Sequence, residues 1–84
     1  MSEDKLYTVL EMLRELEDDN CVPKNVKSKI TLTIKDLETS KEELSIKVSR
    51  ALHMLEELTD DSNMQTYTRT QLFNIVSALE IVGA

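Results

Sequence analysis

Apolar side chains recur at steps of three and four along four separate stretches of this chain, which is the spacing of one face of an α-helix. Leu6, Val9, Leu10, Leu13 and Leu16 make the first stripe, and Val26, Ile30, Thr33, Ile34 and Leu37 the second. The third runs through Leu44, Val48, Ala51, Leu52, Leu55 and Leu58, the fourth through Leu72, Ile75, Val76, Leu79 and Val82. No segment alternates long enough to read as a strand. With one glycine and one proline, the chain also lacks the turn residues that a β-sandwich needs. The pattern predicts helices near 3–18, 23–38, 41–59 and 65–82. Pro23 suits the first turn of the second helix, where its missing N–H costs nothing. Ser40 to Glu43 reads as a capping box opening the third.

The predicted loops are short: Asp19–Val22, Thr39–Ser40 and Asp60–Met64. Connections of this length make consecutive helices antiparallel. A shift of 42 residues lays Met12–Asp19 over Met54–Asp61, and Leu37–Glu38 over Leu79–Glu80. Eight of the 27 positions from Met12 to Glu38 are identical under it, without a gap. Two such repeats are too few to stack as a solenoid. The expected fold is therefore all-α, an antiparallel four-helix bundle built from two similar helical hairpins (about 3–38 and 41–82) in one domain over residues 1–84. Its expected core is Leu10, Leu13, Ile30, Ile34, Leu37, Val48, Leu52, Leu55, Ile75, Val76 and Leu79.

Composition narrows the function. A chain of 84 residues buries roughly 60–65% of its unfolded surface, which leaves little spare volume for an internal active-site cavity. One cysteine rules out a disulfide framework, and one histidine rules out paired-His metal sites. The start, Met1-Ser2-Glu3-Asp4, lacks the layout of a secretion signal, and no apolar run is long enough to cross a bilayer. A cytoplasmic protein without enzymatic activity, metal or cofactor is expected, with no membrane association.

At Asp61-Ser62-Asn63-Met64, and from Thr68 through Arg69, Thr70, Phe73, Asn74, Ile75, Val76, Ser77 and Leu79 to Glu80, the sequence resembles a family of small uncharacterised archaeal proteins. The likeness continues at Val22-Pro23-Lys24-Asn25-Val26 and, more loosely, at Val48–Leu58, and so covers nearly the whole chain. Gln65 stands where the family often has proline, and Phe73 where it often has tryptophan. The resemblance implies an all-helical bundle of this size and no particular activity.

Several residues carry candidate chemistry. Asp18-Asp19-Asn20 and Asp60-Asp61-Ser62-Asn63 are oxygen-rich loops, but neither has the turn glycine or terminal glutamate of an EF-hand. They are expected to cap the helices that follow. Lys24, Lys27, Lys29 and Lys35 give the second helix a basic character suited to a phosphate backbone. Residues 1–19, with seven acids and two bases, are the expected partner for those lysines, so nucleic acid is not the expected ligand. Arg69, with Asn63, Tyr67, Asn74 and Ser77, forms a candidate binding surface for a small anion. The competing expectation is that Arg69 bridges to Asp60 or Asp61. His53 has no nucleophile motif beside it, and Cys21 is expected to pack under its loop next to Val22.

Some apolar residues lie off their stripes. At about 100° per residue, Leu32 points roughly 145° from the centre of its stripe and Ile46 lies nearly opposite its own. Phe73 and Tyr7 are displaced by more than a right angle. If adjacent in space, such residues make a patch suited to a partner. The leading expectation is a protein-interaction module whose partner is itself or another protein, with Leu32, Ile46 and Phe73 as candidate self-association residues. The alternative is a small-anion or nucleic-acid binder using Arg69 and the helix 2 lysines.

Overall fold

A computed structural model of the protein describes residues 2–61 and 63–83, with side chains from Lys5 onward. Met1, Ser62 and Ala84 lie outside the described residues, and with them the Ser62 part of the second acidic loop and of the family-like string. Four α-helices and no strand occupy the described residues: α1 (Ser2–Glu17), α2 (Lys24–Thr39), α3 (Leu44–Thr59) and α4 (Thr66–Gly83). Helix α1 packs on α2 and α4, and α3 packs on the same two, so among the described residues the helices close a ring in which the diagonal pairs have no close backbone approach. The molecule measures 33 × 20 × 19 Å.

The stripes meet inside the ring. Of the eleven expected core residues, ten are buried: Leu10, Leu13, Ile30, Ile34, Leu37, Val48, Leu55, Ile75, Val76 and Leu79. Leu52 is the exception. It is half-buried, packed against the core at the α3–α4 seam beside Val48, Ser49, Glu80 and Gly83. One residue away from the line through Val48, Ala51 and Leu55, it reaches the edge of the stripe rather than its centre. Gly83 is needed at this seam for close approach, because a Cβ there would lie 2.9 Å from Val48 Cγ1.

Helix ends differ from expectation in two places. Pro23 precedes α2 rather than opening it. Its φ of −58° suits a helix, but ψ of 149° keeps it extended, and its carbonyl accepts the Lys27 N–H at 2.9 Å to begin the ladder. The capping box at Ser40–Glu43 does not form. The Ser40 N–H closes the last turn of α2 on the Asp36 carbonyl, and Ser40 Oγ accepts from the Glu42 N–H. Glu43 is itself extended and stands where the cap should be, so α3 starts at Leu44.

The 42-residue shift reappears in the backbone. It carries the bounds of α1 onto those of α3. It also carries Asp19 N–H···O Leu16, Val22 N–H···O Asp19 and Lys27 N–H···O Pro23 onto Asp61 N–H···O Leu58, Met64 N–H···O Asp61 and Arg69 N–H···O Gln65. Burial follows the same register: Leu13 with Leu55, Leu16 with Leu58, Ile30 with Leu72, and Leu37 with Leu79.

Candidate functional site

The two acidic loops are built alike, and not as helix caps. Asp19 Oδ1 accepts the Cys21 N–H at 2.8 Å, and Asp61 Oδ1 accepts the Asn63 N–H at 2.9 Å. Each aspartate thus closes a turn within its own loop, which the same side chain does as readily as it caps a helix. Asp61 has two further partners. Its Oδ2 accepts from Asn25 Nδ2 at 3.0 Å, and Arg69 lies close enough to act on it electrostatically. The Asn63 N–H, then the Asn25 amide and Arg69 hold the Asp61 carboxyl below its ordinary range.

Arg69 makes neither of the expected contacts as an ion pair. Its Nε donates to the Thr59 carbonyl at 3.1 Å and one terminal nitrogen to the Asp61 carbonyl at 2.8 Å. It therefore ties off the C-terminal end of α3, where backbone acceptors lack helical partners. The candidate surface around it is not gathered in one place. Tyr67 lies with Met12, Glu15, Leu16, Asp19 and Gln71 around a pocket of about 150 Å³ between α1 and α4. At about 100° per residue, Tyr67 and Arg69 leave α4 roughly 160° apart. Asn74 and Ser77 are exposed on α4, and Asn63 is exposed in the loop.

Among the described residues, the basic residues of α2 form no ion pair with acidic α1. The ion pair joining these helices runs the other way, from Arg14 of α1 to Glu38 of α2, and the Thr31 hydroxyl donates to the Glu17 carboxylate beside it. Cys21 is exposed rather than packed under the loop. His53 is exposed and lies 3.2 Å from Glu57, one helical turn on. Among the described residues, no group of three or more His, Cys, Asp and Glu side chains is placed to hold a metal ion.

Leu32, Ile46, Phe73 and Tyr7 are all exposed, as are Tyr67 and Ile81. Leu32 and Ile46 share one face. Leu32 lines a shallow groove with Thr33, Asp36, Arg50, Ala51 and Met54, and Ile46 lines a neighbouring depression with Ser49, Arg50 and His53. Arg50 stands between them with its charge answered: it donates twice to Asp36, at 2.9 and 3.0 Å, and once to Glu42 at 2.9 Å. The Asp36 carboxylate, then Glu42, hold the guanidinium pKa above its ordinary value. Phe73 does not join this face. It stands on α4, which does not pack against the α2 that carries Leu32. Sequence reasoning overlooked Gln71 and the α1 residues around Tyr67. The signal for them is in the 42-residue repeat, whose two copies share Met12, Glu15, Leu16 and Asp19 but differ at Tyr67 and Gln71.

A ring of four helices around an aliphatic core, with its arginines tying loop and helix ends, defines a small all-α protein of the four-helix type. The chain belongs to the uncharacterised protein family UPF0147, whose family model matches residues 1–82. It is 35% identical over 81 residues to a UPF0147 protein of Sulfurisphaera tokodaii, spanning 96% of this chain and 91% of that one. It is also 36% identical over 80 residues to the UPF0147 protein MJ1419 of Methanocaldococcus jannaschii, spanning 95% and 86%. Both relatives are archaeal. Among solved structures, it is similar to the crystal structure of MMP1188, a protein of unknown function, with a TM-score of 0.87 and 35% identity over 93% of this chain and 89% of that one. No helix among the described residues is long and apolar enough to cross a membrane.

Proposed function

We propose that this chain is a single-domain, antiparallel four-helix bundle of two related hairpins, acting in the cytoplasm as a non-catalytic protein-interaction module that associates with itself. The carrying observation is the face shared by α2 and α3. There Leu32 and Ile46 stand 57% and 46% exposed on either side of an arginine already neutralised by its neighbours. Apolar side chains around a charge-compensated arginine suit the centre of an interface, where aromatic, aliphatic and Arg groups gather and free charge is depleted. Phe73, on a different face, is left outside this contact.

Sedimentation equilibrium from micromolar to millimolar protein tests the reading. A reversible oligomer is expected, reduced to monomer by Leu32→Glu or Ile46→Glu while Phe73→Glu leaves it intact. A monomer throughout, or equal loss in all three variants, refutes it. The alternative of an anion site at Arg69 has no support from geometry, because two of its N–H groups are committed to backbone carbonyls.

A further inference from the structure

The residues that line the pocket between α1 and α4 have counterparts in the other half of the chain under the 42-residue shift. Its α1 wall is Met12, Glu15, Leu16 and Asp19. The 42-residue shift carries these onto Met54, Glu57, Leu58 and Asp61, and all four are identical. The α4 wall is Tyr67 and Gln71, and here the repeats part, because the α2 counterparts are Asn25 and Lys29. In the α2–α3 half, each of the two carboxylates has a nitrogen group of the chain beside it. Asp61 Oδ2 accepts from Asn25, and Glu57 lies against His53. In the α1–α4 half, both of these nitrogen groups are gone. Tyr67 replaces Asn25, Gln71 replaces Lys29, and Glu11 stands where His53 does. Asp19 keeps its turn contact through Oδ1, but its second oxygen has no counterpart to the Asn25 amide.

What remains is a small pocket with an apolar side, an aromatic ring and oxygen acceptors. Met12 is half-buried and Leu16 buried, so they offer hydrocarbon to a short alkyl stem. Gln71 Nε2 donates to the Tyr67 hydroxyl at 2.8 Å, which leaves Gln71 Oε1 as an acceptor on the wall that faces Asp19 and Glu15. Carboxylate and amide oxygens accept from the N–H groups of a primary ammonium ion, and the face of Tyr67 is attractive to the same cation. A volume of about 150 Å³ admits a headgroup and a short stem, not a whole drug-sized ligand. The formal charge of −6 raises the local concentration of cations. We infer that the α1–α4 pocket binds a primary alkylammonium group, the external ion taking the place of the nitrogen groups that the other half of the chain carries itself.

Nuclear magnetic resonance titration of the full chain with n-butylammonium chloride tests this, with equal sodium chloride and with neutral N-butylacetamide as controls. Saturable shifts are expected at the amides of Glu15, Asp19, Tyr67 and Gln71 with the ammonium ion alone. Asp19→Asn should weaken binding at least tenfold. The double substitution Tyr67→Asn with Gln71→Lys, which gives these positions their α2 counterparts, should abolish binding while the helical circular dichroism stays unchanged. Two further arms separate the sources of the group. Tighter binding of 1,4-diaminobutane than of n-butylammonium marks a free diamine, whereas capped lysine amide binding as well as n-butylammonium, with no gain from the diamine, marks a protein side chain. Shifts no larger than those with sodium chloride, or affinity kept within twofold in both Asp19→Asn and the double variant, overturn the inference.

Discussion

Replacing Thr68 with valine should make this protein more stable. Thr68 is fully buried, and its hydroxyl has no hydrogen-bond partner. Four other helical threonines show what it lacks. Thr31, Thr33, Thr39 and Thr70 each donate to the carbonyl four residues back, at 3.0, 2.8, 2.7 and 3.0 Å. Thr68 is the third residue of α4, so its fourth residue back, Met64, is in the loop, outside the helical ladder. The 42-residue shift places Val26 at the equivalent position, equally buried. The same fold thus already holds the isosteric apolar side chain in its other half, with the same branching at Cβ. A buried hydroxyl left without a partner costs about 1–3 kcal/mol. Fitting a methyl group in its place takes back part of that gain, so the expected stabilisation is about 1–2 kcal/mol. In urea, the midpoint should rise with an unchanged slope. By heat, a domain of this size should gain roughly 4–8 °C for each kcal/mol. An unchanged or lower midpoint at constant slope would show that the hydroxyl is satisfied in solution, and the reasoning from the unpartnered atom would fail.

Other consequences are as direct. Leu55→Ala, which truncates a fully buried side chain, should cost about 2–5 kcal/mol in a urea titration; Leu52→Ala, at the half-buried seam, should cost visibly less. Arg69→Ala removes the donors to the Thr59 and Asp61 carbonyls and should lower stability by about 1 kcal/mol, with Arg69→Lys recovering only part because it cannot present two fixed N–H groups. Asp61 has its folded pKa depressed by the Asn63 N–H, the Asn25 amide and Arg69. Its contribution should therefore be present above the unfolded value of about 3.9 and fade as pH falls through the folded one. Urea midpoints measured across that acid range should show Asp61→Asn less stable than the parent at neutral pH, with the gap closing in acid.

Helix phase was legible because a period of 3.6 residues needs no tertiary information. Ten core residues follow from it directly. What the sequence could not tell was how a side chain at the edge of a stripe, such as Leu52, is divided between the centre of the ring and a seam. Nor did residue type decide among hydrogen-bond roles of similar energy. Asp19 and Asp61 have the chemistry of helix caps and of loop turns alike, and here the turns win. Ser40 and Glu43 match a capping box letter by letter, yet the Ser40 N–H is held by the end of α2. Arg69 was read through its charge, whereas folding brings it to carbonyls ten and eight residues away.

The internal repeat provides a more discriminating comparison than any single motif, because two copies of one pattern under the same packing constraints are controls for each other. Where they agree, as at Leu13 and Leu55 or Leu37 and Leu79, the shared burial accounts for the residue. Where they differ inside the core, as Val26 differs from Thr68, the difference should register in stability alone. Where they differ on a pocket whose opposite wall is identical, neither core packing nor turn geometry explains the change. Tyr67 stands where Asn25 donates to Asp61, and Gln71 where Lys29 stands, while the two carboxylates of the opposite wall are identical under the shift. Loss of that donor is tolerable when the carboxylates remain open to water, and useful when another molecule supplies it. That asymmetry, rather than the charge of any one helix, is what singles out the α1–α4 pocket.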